Sequence, residues 1–144
     1  MRVGRFSAVN HVYHVTTCTR DRKPYFRDFI AARAVIHEIR YGDSAGRSET
    51  LAFVLMPDHV HWLVRISGTA SLSKIVNLMK SFSARRINHL RGRRSPVWQR
   101  GFHDHGIRTG EDLAATARYI VANPLRAGLV ERAGDYPHWD AIWL

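Results

Sequence analysis

The chain has 144 residues, 45% of them hydrophobic and 24% charged, which predicts one globular domain spanning 1–144 with a core that needs no covalent staples. Its single cysteine, Cys18, rules out an internal disulfide and a thiolate zinc cluster, and the sequence has neither an apolar run long enough to span a membrane nor a signal-peptide core, so a reducing cytoplasm is the expected location. Lysine and arginine number 22 against 12 aspartates and glutamates, a net charge of +10 that points to a polyanionic partner.

Val9 to Thr19 is rich in β-branched and aromatic residues and predicts a first strand, with His11, Tyr13 and Val15 on one face and Val12 and His14 on the other. Arg27 to Tyr41 carries Ile30, Ala34, Ile36 and Ile39 at helical spacing, with Gly42 as the expected C-cap. Leu51 to Ile66 reads as two apolar strands around the turn residues Met56-Pro57-Asp58. On the second strand, alternation puts His59 and His61 on one face and Val60, Trp62 and Val64 on the other. Two imidazoles side by side on a central strand suit a metal site. The same pattern also fits two sheet histidines satisfied by ordinary hydrogen bonds.

Ser71 is a good N-cap for the longest predicted helix, Leu72 to Leu90, whose buried stripe is expected at Leu72, Ile75, Met79 and Phe82. A basic loop, Arg91 to Pro96, follows. No carboxylate occurs from His59 to His103, while that window holds Arg65, Lys74, Lys80, Arg85, Arg86, Arg91, Arg93, Arg94 and Arg100. A block of one sign is the footprint of a nucleic acid or, more blandly, a solvated basic helix face; on the first reading Lys80, Arg85, Arg86, Arg91, Arg93, Arg94 and Arg100 are expected to contact phosphates. Trp98 or Phe102 would either stack on unpaired bases or pack in the core.

Val97 to Gln99 and Phe102 to Arg108 read as short extended pieces, one of them supplying the last strand. His103, Asp104 and His105 have no role that the sequence explains. Thr109-x-x-Asp112 is a helix-start pattern, and the helix it opens is limited by Pro124. Its stripe is Leu113, Ala117 and Ile120. Tyr119 lies off that stripe and shares a face with Asn123 if the last turn stays helical. Val130 to Leu144 is expected to be an irregular tail whose Tyr136, Trp139 and Trp143 pack back on the body. The order strand, helix, strand, strand, helix, strand, helix predicts an α+β, ferredoxin-like antiparallel sheet covered by helices, with an extra C-terminal helix carrying the tyrosine.

The stretch MPDHVHWLV resembles the His-hydrophobic-His motif of the HUH single-strand DNA endonucleases and transposases. RYIVANPLRAGLV, with Tyr119, resembles the tyrosine helix of the REP-associated tyrosine transposases. YHVTTCTRDRKPYF and VWQRGFHDHGIR also resemble blocks of that family, in the right order along nearly the whole chain. A departure is Asp58, where relatives more often carry Asn.

The resemblance implies that His59, His61 and Asn123 hold a divalent cation, Mg²⁺ or Mn²⁺, and that Tyr119 is the nucleophile, forming a 5′-phosphotyrosine. The implied substrate is single-stranded DNA beside a hairpin, cleaved and rejoined without ATP, in agreement with the missing nucleotide-binding GxxxxGK[ST] loop. The protein would act as a monomer or homodimer. The alternative is a non-catalytic DNA- or RNA-binding regulator on the same fold.

Overall fold

The computed structural model describes residues 11–141. Five strands form one antiparallel sheet: β1 (Val12–Cys18), β2 (Ser48–Met56), β3 (His59–Ile66), β4 (His103–Gly106) and β5 (Trp139–Ala141). Their order across the sheet is β4-β1-β3-β2-β5. The first four with helices α1 (Phe29–Ser44) and α2 (Leu72–Arg91) make the ferredoxin-like arrangement, and α3 (Gly110–Val121) follows with the short α4 (Asn123–Arg126).

Alternation along the central strands sorts the molecule into layers. Tyr13, Val15, Phe53, Leu55, Val60, Trp62 and Val64 face α1 and α2 and form the larger core with Val35, Ile36, Ile39, Val76 and Met79. Trp62 is wholly buried there, its indole N–H donating to Thr50 Oγ1 at 2.9 Å. Val12, Ala52, Val54, Met56 and Leu63 point the other way, onto Ala117, Ile120 and Val121 of α3. The histidines of β3 fall on this second face.

Three helix starts follow side-chain capping. Asp28 accepts from Ile30 N–H, Ser71 from Lys74 N–H and Thr109 from Asp112 N–H. Helix α2 ends at Gly92, which takes the left-handed conformation (φ 61°) that glycine adopts without strain.

Several expectations need correction. Helix α1 does not stop at Tyr41; it runs through Gly42, which is buried so close to β2 that a Cβ there would lie 3.2 Å from Ser48 Oγ. Ile30 and Phe82 are exposed, at 59% and 44%. The stripe of α2 is Ile75, Val76, Met79, Ser83 and Ile87, and the Phe82 ring instead lies under the Arg85 guanidinium. The tail is not wholly irregular: Trp139–Ala141 pairs with β2 as an edge strand. Tyr136 and Trp139 do pack back, on the α3-side core. Val9, at the expected start of the first strand, and Trp143 lie outside the described residues. Among the described residues no helix is long and apolar enough to cross a membrane.

Candidate active site

The register of the sheet assembles the site. Thr16 sits opposite His61 and Cys18 opposite His59, so these side chains share the α3 face with His14. The rings of His59 and His61 stand edge-to-face with centroids 5.0 Å apart. His59 Nδ1 lies 2.7 Å from Asp58 Oδ1, and the other carboxylate oxygen takes Arg22 Nε at 3.0 Å. His61 Nδ1 lies 2.9 Å from His14 Nε2 and 3.2 Å from Thr16 Oγ1. Both Nδ1 atoms are therefore engaged, which leaves the two Nε2 atoms as the nitrogens open to a ligand.

Helix α3 brings Tyr119 to the same place. Ala117, Ile120 and Val121 anchor the helix on the sheet, which leaves Tyr119 at its flank, 48% exposed. Its ring centroid is 5.8 Å from that of His61 and 6.2 Å from that of His14. Ala122 keeps helical dihedrals between α3 and α4, so the turn continues past Val121. Asn123 and Arg126 consequently reach back to the tyrosine: Asn123 Nδ2 and Arg126 Nη2 donate to the Tyr119 carbonyl at 3.1 and 2.8 Å. The Arg126 guanidinium also lies over the phenol ring, 4.1 Å from its centroid.

Burial disfavours the charged form of two of the imidazoles, His61 and His14. Burial, then the neighbouring His59, His14 and Arg126, push His61 down to about 3. Burial and then His105 lower His14 as well. Burial alone would raise Asp58, but hydrogen bonds from His59 and Arg22 outweigh it and hold the carboxyl below its usual value. Imidazoles whose Nδ1 atoms are bonded and whose Nε2 atoms are open are the donor arrangement a divalent cation can use. Among the described residues no three His, Cys, Asp or Glu side chains are arranged to hold a metal ion. Asn123, whose amide nitrogen is engaged on the Tyr119 carbonyl, retains its amide oxygen.

The expected phosphate contacts divide. Lys80 is a correction: it is 9% exposed, and its ammonium donates to the carbonyls of Gln99 and Gly101, both at 2.7 Å. It ties α2 to the segment before β4 and is not available to a phosphate. Arg91 is paired with Asp28 at 3.3 Å. Arg85, Arg93 and Arg94 line a groove of about 460 Å³ with Asn88, His89, Ser95 and Pro96. Arg86 lines another, between α1 and α2. These arginines belong to the α1–α2 layer, across the sheet from Tyr119. Arg100 is different: the segment around it runs beside the end of β1, where Gln99 N–H donates to Cys18 O and Thr17 Oγ1 to Gly101 O.

Trp98 is a core residue, 6% exposed, with its indole N–H on Ser83 Oγ and its ring against Phe26. Phe102 is partly buried against the same core. His103 and His105 sit opposite Thr16 and His14 on β4 and are exposed. Sequence reading missed His14, Thr16, Arg22 and Arg126. His14 has the parity of Val12, but only the cross-strand register shows that it meets His61.

Comparisons with known proteins point to one family and one fold. The sequence profile of the family described as Transposase IS200 like matches residues 7–123. A Haemophilus influenzae protein assigned by name to the REP-associated tyrosine transposases is 31% identical over 142 residues, covering 88% of this chain and 77% of that protein. The REP-associated tyrosine transposase of Escherichia coli K12 is 30% identical over 91 residues, 62% of this chain and about half (52%) of that protein. A solved structure of a REP-associated tyrosine transposase bound to a REP hairpin shares the fold, with a TM-score of 0.73 at 24% identity over 90% of this chain and 75% of that one. A transposase structure from Deinococcus radiodurans gives 0.57 at 22% identity, covering 76% of this chain and 87% of that one. The chain belongs to the IS200-like transposases, within the group of REP-associated tyrosine transposases.

Proposed function

We propose that this chain cleaves and rejoins single-stranded DNA next to a hairpin, with Tyr119 as the nucleophile. The observation that carries the reading is the meeting of one phenol with a pair of Nδ1-bonded imidazoles on the sheet face opposite the helical core. The Tyr119 oxygen forms a bond to the scissile phosphorus as the bond from phosphorus to the 3′ oxygen breaks. The phenol gives up a proton and the leaving oxygen gains one, so the products are a 5′-phosphotyrosine and a free 3′-hydroxyl. One phosphoester replaces another, and the reverse attack rejoins strands without a nucleotide cofactor.

His59 and His61 through Nε2, with Asn123 through its amide oxygen, would hold a Mg²⁺ or Mn²⁺ ion. When bound, such an ion supplies a Lewis acid for the scissile phosphate. The three donors are uncharged, so they leave the cation's charge undiminished for the DNA. Arg126 lies over the ring of the nucleophile, where a planar guanidinium can pair with a non-bridging phosphate oxygen while it keeps the ring in place. Arg85, Arg93 and Arg94 would take the paired stem, and Arg100 the strand that runs from it to the site.

A labelled hairpin-flanked single strand incubated with the protein and Mn²⁺ tests this. The expected result is a covalent protein–DNA band that disappears in Tyr119→Phe while DNA binding is retained. Tight binding with no covalent band under any condition would instead mark a DNA-binding regulator.

A further inference from the structure

The β2–β3 turn is clamped from two directions. Its backbone is held by the loop after β1: Thr19 N–H donates to the Asp58 carbonyl at 2.9 Å, and Phe26 N–H donates to Pro57 O at 3.0 Å. The Asp58 side chain has no part in that clamp. Its two oxygens divide between His59 Nδ1 and Arg22 Nε, at 2.7 and 3.0 Å. Reaching Asp58 requires a backbone that two non-glycine residues rarely adopt. Asp21 and Arg22 are both left-handed, with φ of 56° and 54°. Such conformations are unfavourable for residues with a Cβ and persist where surrounding contacts impose them. Here Thr19 Oγ1 donates to Lys23 O at 2.7 Å and closes the loop around the pair.

We infer that Asp58, anchored by Arg22, is a positioning residue for His59: it accepts the Nδ1 proton, fixes the ring with Nε2 facing the site, and tightens the site's hold on a divalent cation before DNA arrives. The second half rests on the cation reading above. A carboxylate behind a ligating imidazole makes the ring a stronger donor than an amide does. Arg22 offsets the carboxylate's charge and keeps it from swinging toward the cation itself. This chain's carboxylate at position 58 thus compensates for a donor set of three uncharged ligands.

Two measurements test it, both on the full chain. In metal-free protein at about pH 8, where an ordinary imidazole is neutral, long-range ¹H–¹⁵N spectra report the His59 tautomer. We expect the Nδ1–H form in the parent, with the Nε2–H form gaining population in Asp58→Ala. Mn²⁺ binding followed by electron paramagnetic resonance without DNA should weaken by about 10-fold or more in Asp58→Asn and Asp58→Ala. Arg22→Gln should fall between them and the parent. The backbone clamp does not use the carboxylate, so these variants are expected to fold, which circular dichroism checks. An Nε2–H tautomer in the parent, or equal Mn²⁺ affinity in parent and Asp58 variants, overturns the role of Asp58. A parent protein that takes up no Mn²⁺ overturns the cation reading and the affinity half of this inference together.

Discussion

Tyr119 is held by its own carbonyl as much as by its ring. Asn123 and Arg126 both donate to that carbonyl, and Arg126 covers the ring as well. Two demands meet on Arg126: a flat cation for stacking and a donor for phosphate. Lysine meets only the second. Arg126→Ala is expected to slow covalent-adduct formation by about 100-fold, in the range seen when one preorganised charge-stabilising donor is removed. Arg126→Lys should recover only part of that rate. Single-turnover kinetics with protein in excess over DNA check this; unchanged rates in both variants would place Arg126 outside the reaction. The parity of His59 and His61 was readable from HVH on a strand. The partners of those rings were not, because Arg22, His14 and Arg126 reach the site through the loop after β1, a cross-strand register and a helix that continues past Val121.

At the scale of elements, the basic residues of α2 and of the segment after it do two different jobs. Lys80 points inward and fastens the segment to the helix through two carbonyls. Arg93 and Arg94 point outward into the groove. Lys80→Met should therefore lower stability by about 2–4 kcal/mol, because two hydrogen bonds to a charged donor, each worth about 1.5–3, are lost while the cost of burying the ammonium is relieved, and leave the salt dependence of DNA binding unchanged. Arg94→Ala should do the reverse, reducing the slope of log affinity against log salt by about 1 with little effect on stability. Chemical denaturation and salt titrations of binding separate the two. A lysine amid arginines in sequence carries no mark of this difference; only the fold of the loop assigns it. Helix starts were legible because Ser71 and Thr109 act locally. The end of α1 was not, since Gly42 serves close packing against Ser48 and not a cap. A three-residue edge strand such as β5 has too little pattern to announce itself.

At the scale of the molecule, the sheet separates two surfaces: the face under α3 that carries the candidate site, and a helical layer carrying most of the arginines singled out in the sequence. Hairpin DNA that used both would have to pass the β1–β4 edge, where Arg100 lies. The burial of histidines also sets how the whole fold responds to acid. His61, His14 and His138 all have folded pKa values below the ordinary 6.5, each mainly because burial disfavours the charged ring. Between the folded and unfolded values the unfolded chain binds more protons, so stability rises with pH there. This contribution is complete above about 6.5 and is lost as pH falls, down to about 3 for His61. Urea unfolding of the metal-free protein should therefore show a midpoint that drops steadily below that point. His138 sits away from the site, with its Nδ1 unpartnered among the described residues. His138→Leu should make the drop shallower, and an identical acid limb in that variant would contradict the assignment.

The most direct measurement is the chemical identity of the covalent product. After reaction with a hairpin-flanked single strand and Mn²⁺, followed by nuclease and trypsin digestion, mass spectrometry should find the peptide Tyr119–Arg126 carrying a nucleotide through its 5′ phosphate on the tyrosine oxygen. An adduct on any other residue, or strand cleavage that persists in Tyr119→Phe, would contradict the account.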